Sequence, residues 1–254
     1  MRKRIPMSTV DKAITLLGRF SVEDTELGLT ELARALSFDK ATTLRLLRTL
    51  LAHGMVEQID STKRYRLGSG VVRLARIRES SFPLVAVARP IVAALAEETG
   101  ETCHLSEAAG FSLTSMLVIE SRRPVRASLS EGERLPLHAT ASGIAFLAHA
   151  PKSTWQRVLK MPMPRFAPKT ITTRSRLMEA VVAAAKQGYC VSEGGYDAET
   201  VSVAAPIRAS SGIAFGAISV ASPWSRTNRA AQRRHATAVV RAAAAIEKAL
   251  GGNP

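Results

Sequence analysis

The chain has 254 residues, 46% of them hydrophobic, which suits one large domain or two ordinary ones and excludes wholesale disorder. No apolar run approaches the roughly 20 residues of a membrane span, and the basic N-terminus lacks the apolar segment of a signal peptide. Two distant cysteines, Cys103 and Cys190, are too few for a secreted disulfide framework, so we expect a cytoplasmic protein.

The net charge of +14 favours an anionic partner: nucleic acid, an anionic membrane or an acidic ligand. Residues 1–90 hold 16 Lys and Arg against 9 Asp and Glu, and residues 91–254 hold 19 against 12. The net positive charge per residue is therefore nearly twice as high in the first third of the chain as in the rest. A generally basic surface is the alternative explanation.

Three helices are predicted before residue 55. Apolar spacing indicates the first over residues 10–20 and the second over residues 29–36, with Thr30 as its N-cap. After a tight break at 37–39, the third helix begins at Asp39 and ends at Gly54. Its buried face is expected to carry Leu44, Leu47, Leu50 and Leu51. Its exposed face is expected to carry Lys40, Thr42, Thr43, Arg45 and Arg48.

From Met55 the period changes, and "MVEQID" and "KRYRL" joined by "STK" predict a β-hairpin. Two helices joined by a tight turn, with another packed on them, predict a helix-turn-helix whose second helix enters the major groove of DNA. The hairpin with Lys63 and Arg64 would then be a wing on the DNA backbone or in the minor groove. The alternative is an ordinary helical hairpin with a solvated basic face.

The rest of the chain predicts an α+β domain behind the small helix–hairpin domain. A connecting helix is expected over residues 71–87, apart from Pro83, and residues 90–99 continue it. The further expected elements are two strands meeting at Ala109-Gly110, a strand in 125–132, a helix start at 141, helices in 155–160 and 174–186, three short strands in 189–222 and an amphipathic helix in 226–250.

Residues 29–75, "LTELARALSFDKATTLRLLRTLLAHGMVEQIDSTKRYRLGSGVVRLA", resemble the DNA-binding half of the isocitrate lyase regulator (IclR) family of bacterial transcription factors. Five later segments resemble its effector-binding half, in the family's order: "ARPIVAALAEETGETCHLSEAAG", "GERLPLHATASGIAFLAHAP", "FAPKTIT", "GYCVSEGGY" and "VSVAAPIRASSGIAFGAISVASPWSR". The resemblance spans about residues 8–251.

This resemblance implies a winged helix-turn-helix in residues 1–70, a dimerising linker helix in 71–87, and a GAF-like effector domain with a central antiparallel sheet in 88–254. Members of the family are dimers or tetramers that repress or activate operons, often for the catabolism of organic or aromatic acids. It therefore implies a DNA-binding regulator rather than an enzyme, with a DNA operator and a small organic acid as partners.

The resemblance also implies an effector site. Members of the family bind the effector with backbone amides of the "TASG" turn, here Ala141 and Ser142. They also use polar side chains, here Ser192, Ser202 and Ser219. Where many members have an acidic pair this chain has Gly194-Gly195, and where some have a further serine it has Ala221. The pocket is therefore expected to be less acidic and roomier.

Other constellations are interpreted as structural. Cys103 and His104 are adjacent on a strand and point to opposite faces, so they do not pair. The five histidines, His138 included, lack metal-ligand spacing, and we expect neither metal nor cofactor. The alternatives to a ligand-responsive regulator are a small-molecule-binding enzyme with an incidental basic N-terminal domain, and an architectural nucleic-acid binder without an effector.

Overall fold

A computed structural model describes residues 8–251 of the chain. Residues 1–7, with most of the basic N-terminal segment, and residues 252–254 lie outside the described part. The chain forms two compact units that divide after Phe82. Within residues 8–251 no single helix is long and apolar enough to cross a membrane, although the helices Ser69–Ser81 and Leu84–Thr99 pass that test together.

The first unit is a winged helix-turn-helix, as the sequence predicts. Its elements are α1 Thr9–Leu17, α2 Leu29–Leu36, α3 Lys40–Ala52, β1 Val56–Gln58, β2 Tyr65–Leu67 and α4 Ser69–Ser81. Its core joins all of these except α4, and its buried members are Leu16, Leu32, Leu46, Leu47, Leu50, Val56 and Tyr65.

The helix boundaries in this unit follow from local hydrogen bonds. The N-cap of α2 is Gly28 and not Thr30, because the Glu31 carboxylate reaches back and accepts from Gly28 N–H at 2.8 Å. Ser37 makes the tight turn with a left-handed backbone (φ 55°). Asp39 then caps α3, with its Oδ1 accepting from Thr42 N–H at 2.7 Å.

The buried face of α3 is rotated relative to the prediction. Thr43 is fully buried and Leu46 nearly so, whereas Leu44 and Leu51 are only partly buried. Thr43 was expected on the exposed face, and this placement is wrong. Its hydroxyl donates to Asp39 O at 2.9 Å, so the buried side chain satisfies its polar group within its own helix turn.

The second unit is an α+β domain around a six-stranded antiparallel sheet with strand order β5-β4-β3-β8-β7-β6. Its helices are α5 Leu84–Thr99, α6 Ala141–Leu147, α7 Lys152–Val158, α8 Arg174–Gln187 and α9 Arg229–Ala249, with a short 3-10 turn at Trp224–Arg226. Its strands are β3 Thr102–Ala109, β4 Ser112–Ile119, β5 Arg134–Pro136, β6 Cys190–Glu193, β7 Thr200–Arg208 and β8 Ala214–Pro223.

Two predicted elements differ in the structure. The strand expected in residues 125–132 is irregular, and the strand β5 forms after it. The hydroxyl of Thr102 donates to Ala127 O at 2.8 Å, which occupies a backbone group that a strand would need for its ladder. The helix expected over 71–87 breaks at Phe82-Pro83, where Pro83 becomes the N-cap of α5.

Helices cover both faces of the sheet: α5 and α9 pack on one face, and α6 with α8 on the other. Strand alternation sends Cys103 toward α5, where its sulfur lies 3.7 Å from the Thr99 hydroxyl. It sends His104 toward α6, where the ring contacts Ser142. The face that carries α6 is the one that holds the site described next.

Candidate functional site

A cavity of about 210 Å³ opens in the second unit, on the α6 side of the sheet. Strands from both halves of the sheet, the start of α6 and two loops surround it. Its lining residues are His104, Ala127, Ser128, Leu129, Leu135, Ala139, Thr140, Ala141, Ser142, Ser192, Gly195, Tyr196, Asp197, Thr200, Ser202 and Ala221. A cavity of about 150 Å³ is enough to hold a benzene ring, so this one has room for a small organic molecule.

The start of α6 is fixed by two contacts. The Thr140 hydroxyl accepts from Gly143 N–H at 3.0 Å and donates to Pro136 O at 3.0 Å. Gly143 lies so close to the backbone of Leu137 that a Cβ would sit 2.5 Å from its Cα. The N–H groups of Ala141 and Ser142 are the first two of the helix and have no partner within it. They lie at the cavity wall, as the "TASG" resemblance implies.

Ser192 and Ser202 also line the cavity and lie opposite one another in the register of β6 and β7. Ser219 does not line it, contrary to the expectation. Its side chain is fully buried and its hydroxyl donates to Val203 O at 3.1 Å, across to the neighbouring strand. The structure therefore brings together four of the five predicted effector residues.

His104 is a cavity residue that the sequence interpretation set aside. Its side chain is 5% exposed, and its Nε2 lies 3.2 Å from Ser142 Oγ. Burial lowers the pKa of the ring to about 4, so the imidazole is neutral at physiological pH. Cys103 on the opposite face has its thiol pKa raised to about 12 by burial and is unreactive. Neighbouring side chains of a strand point to opposite faces of the sheet, and this alternation is the sequence signal that could have placed His104 on the face of the site.

The loop between β6 and β7 supplies the other residues that were not predicted. Asp197 accepts from Glu199 N–H through Oδ1 at 3.0 Å and from the Thr200 hydroxyl through Oδ2 at 2.9 Å. It is the single acidic residue in the described lining, which includes no Lys or Arg. His138 lies outside this cavity, with its ring hydrogen-bonded to Pro164 O at 3.0 Å. The cavity wall is therefore mainly hydroxyl, amide and apolar in character, with one carboxylate, Asp197, that is hydrogen-bonded to its own chain neighbours.

In the first unit, Lys40, Arg45 and Arg48 are exposed along α3 and Thr42 is partly exposed. This face has the small polar residue and the cations that a recognition helix uses for base edges and phosphates. Thr43 is absent from this face because it is buried.

The two wing residues differ from one another. Lys63 has a side chain 70% exposed and lies at the hairpin turn with φ 56°. Arg64 instead donates to both oxygens of Glu31, at 3.2 and 2.7 Å, and to Glu26 O at 2.8 Å. Its guanidinium is therefore engaged within the unit, contrary to the expectation that it points to DNA.

Two family models match the chain. The IclR helix-turn-helix domain matches residues 9–60, and the bacterial transcriptional regulator IclR C-terminal domain matches residues 79–248. The regulator BhcR of Paracoccus denitrificans is 32% identical over 235 residues, covering 92% of this chain and 84% of that protein. The regulator XynR of Escherichia coli K12 is 28% identical over 246 residues, covering 96% and 98%.

Solved structures agree. An IclR transcriptional regulator from Silicibacter sp. TM1040 has a TM-score of 0.88 at 36% identity, covering 97% of this chain and 98% of that one. An IclR homologue from Microbacterium hydrocarbonoxydans, crystallised with 4-hydroxybenzoate, has the same fold, with a TM-score of 0.82 at 24% identity and coverage of 97% and 100%. The chain belongs to the IclR family of DNA-binding transcriptional regulators.

Proposed function

We propose that this regulator binds a small organic acid in the cavity of its second unit and that the acid changes its affinity for the operator of a catabolic operon. The observation that carries the proposal is that the residues able to supply two backbone amides, Ala141 and Ser142, and two hydroxyls, Ser192 and Ser202, all line one cavity. A carboxylate suits these donors, and the apolar side chains Leu129 and Leu135 suit an aliphatic or aromatic body.

DNA binding is proposed to use Lys40, Thr42, Arg45 and Arg48 on α3, with Lys63 on the wing. The support is the exposure of Lys40, Arg45 and Arg48 along one helix of a winged helix-turn-helix, with Thr42 partly exposed beside them and Lys63 exposed on the wing. One such helix reads only a few base pairs, so we expect a roughly palindromic operator bound by a dimer.

Self-association as a homodimer or tetramer is proposed through α4, in the segment 71–87 that we interpret as the linker between the domains 1–70 and 88–254. None of the side chains of α4 is buried, and Val72, Leu74 and Ile77 are 59%, 46% and 54% exposed. Apolar side chains so placed are typical of an association surface.

Analytical ultracentrifugation at micromolar concentration tests this proposal. We expect a dimer or tetramer for the wild type and a shift toward monomer for the double variant Leu74→Glu, Ile77→Glu. The variant Arg73→Gln, on the same helix, is the control and should associate like the wild type. A monomeric wild type refutes the proposal.

We expect the protein to act in the cytoplasm. The effector site is tested by a gel-shift titration with DNA from upstream of the protein's own gene. Ser202→Leu should fill the cavity and abolish the response to the acid while DNA affinity stays close to that of the wild type. Ser202→Ala, which removes the hydroxyl without filling the space, is the matched control and should keep a weakened response. A full response in Ser202→Leu refutes the cavity as the effector site.

A further inference from the structure

We propose that His104 sets the hydrogen-bonding polarity of the cavity: its Nε2–H donates to Ser142 Oγ, so that the Ser142 hydroxyl gives its proton to an acceptor atom of the effector. The inference rests on the proposed function, because it requires the effector to occupy this cavity. It adds to that site a residue that orients Ser142. It also predicts that the polar end of the ligand is a hydrogen-bond acceptor.

The ring of His104 is held in place by the sheet. His104 lies in β3, where its backbone is paired with Val118 of β4 on one side and Ser219 of β8 on the other. Its Nε2 lies 3.2 Å from Ser142 Oγ, and its Nδ1 has no hydrogen-bond partner among the described residues. The ring therefore has a single polar contact, and that contact is with a residue of the cavity wall.

The direction of this hydrogen bond follows from the environment of the ring. A charged imidazole is disfavoured because the ring is removed from water and no carboxylate among residues 8–251 contacts it. Of the two neutral forms, the Nδ1–H tautomer would bury a donor without a partner, whereas the Nε2–H tautomer leaves only a lone pair unmatched. Orphaned buried N–H groups are the rarer and costlier case, so Nε2 carries the proton.

Ser142 is then an acceptor toward His104, and its own proton points elsewhere. The His104 ring is the one hydrogen-bond partner recorded for this hydroxyl within residues 8–251. The neighbouring Ala141 and Ser142 N–H groups are also donors, and no Lys or Arg lines the described cavity. A ligand head that only accepts, as a carboxylate does, matches these donors, whereas the Asp197 carboxylate, which also lines the cavity, already accepts from Glu199 N–H and the Thr200 hydroxyl.

The tautomer is tested without a ligand by side-chain nitrogen NMR of the full chain labelled with ¹⁵N-histidine, with His104→Gln to assign the signal. We expect the Nε2–H tautomer and no titration of His104 between pH 5 and pH 8. An Nδ1–H tautomer, or a charge change in that range, overturns the inference.

Ligand discrimination is tested by calorimetry with 4-hydroxybenzoate, benzoate, acetate and benzylamine. In the wild type at least one acid should bind and benzylamine should not. His104→Gln, whose amide N–H can replace Nε2–H, should stay within roughly threefold of the wild type, and His104→Phe should lose roughly tenfold, as expected for one hydrogen bond in a buried site. Ser142→Ala should cost less in the His104→Phe background than in the wild type, because His104 acts on the ligand through the Ser142 hydroxyl.

The two levels of the proposal fail differently. If no acid binds the wild type, the proposed effector class is wrong and this inference falls with it. If an acid binds but His104→Phe binds equally well, or if the losses from His104→Phe and Ser142→Ala add, the effector proposal stands and the role of His104 is refuted.

Discussion

The two units place their polar chemistry in opposite surroundings. On α3 the side chains Lys40, Arg45 and Arg48, which we propose contact DNA, are exposed. In the second unit His104 and Ser142 are buried and hydrogen-bonded to one another, beside the partly buried Ser192 and Ser202. Substitutions should therefore separate function from stability in the first unit and couple the two in the second.

The largest expected effect is the acid sensitivity of the second unit. The pKa of His104 is lowered from 6.5 to about 4. Between these two pH values the His104 ring is protonated in the unfolded chain and neutral in the folded chain. The free energy of unfolding should fall by about 3 kcal/mol as the pH drops from 7 to 4. His149 and His235, with pKa values also lowered by burial, act in the same direction.

Urea unfolding at pH 7 and pH 4.5 measures this effect. Both tryptophans, Trp155 and Trp224, lie in the second unit, so their fluorescence reports on that unit. His104→Gln should lose most of the pH dependence, and His53→Asn, at an exposed histidine of the first unit, should keep it. An unchanged pH dependence in His104→Gln would show that His104 is not the titrating group.

The next effect concerns the start of α6. Gly143→Ala would place a Cβ 2.5 Å from Leu137 Cα and 2.6 Å from its carbonyl oxygen, both backbone atoms that cannot rotate away. We expect a loss of about 2 kcal/mol in the stability of the second unit, as overpacking of a core typically costs. Gly18→Ala, whose nearest neighbour would be 3.5 Å away, is the control and should leave the melting temperature nearly unchanged. Equal melting curves for the two variants would contradict the close packing.

The contrast between exposed and buried polar side chains also explains how much of each unit could be predicted from the sequence. The recognition helix could be located because a helix period and exposed cations are local features, but the burial of Thr43 depends on a one-residue rotation of the packed face. In the second unit the residues carried over from the family reach the cavity, except Ser219, whose hydroxyl is taken by the backbone of β7. His104 was missed because its contact with Ser142 joins segments 38 residues apart.

A smaller effect is expected on DNA binding. Arg45→Ala and Arg48→Ala together should weaken operator binding about tenfold and reduce the slope of log affinity against log salt by about 2, as the loss of two phosphate contacts would. The fluorescence-detected stability of the second unit should not change. A gel-shift series between 50 and 200 mM salt, values at which such contacts are resolved, measures both quantities. Unchanged affinity and slope would refute the recognition-helix assignment.

The smallest effect decides between two roles for Arg64. Its guanidinium joins the wing to Glu31 of α2 and to Glu26 O in the loop before that helix, and the pair is about half exposed, so Arg64→Ala should lower the local stability of the wing slightly. Lys63→Ala, one residue away on the same turn, should instead leave the fold intact and reduce the salt slope of DNA binding by about 1. Hydrogen exchange of peptides covering residues 29–36 and 56–67 reports the first effect, and salt titration of the gel shift reports the second. If Arg64→Ala reduces the salt slope as Lys63→Ala does and leaves exchange unchanged, Arg64 is a phosphate contact and its ion pair with Glu31 opens on DNA.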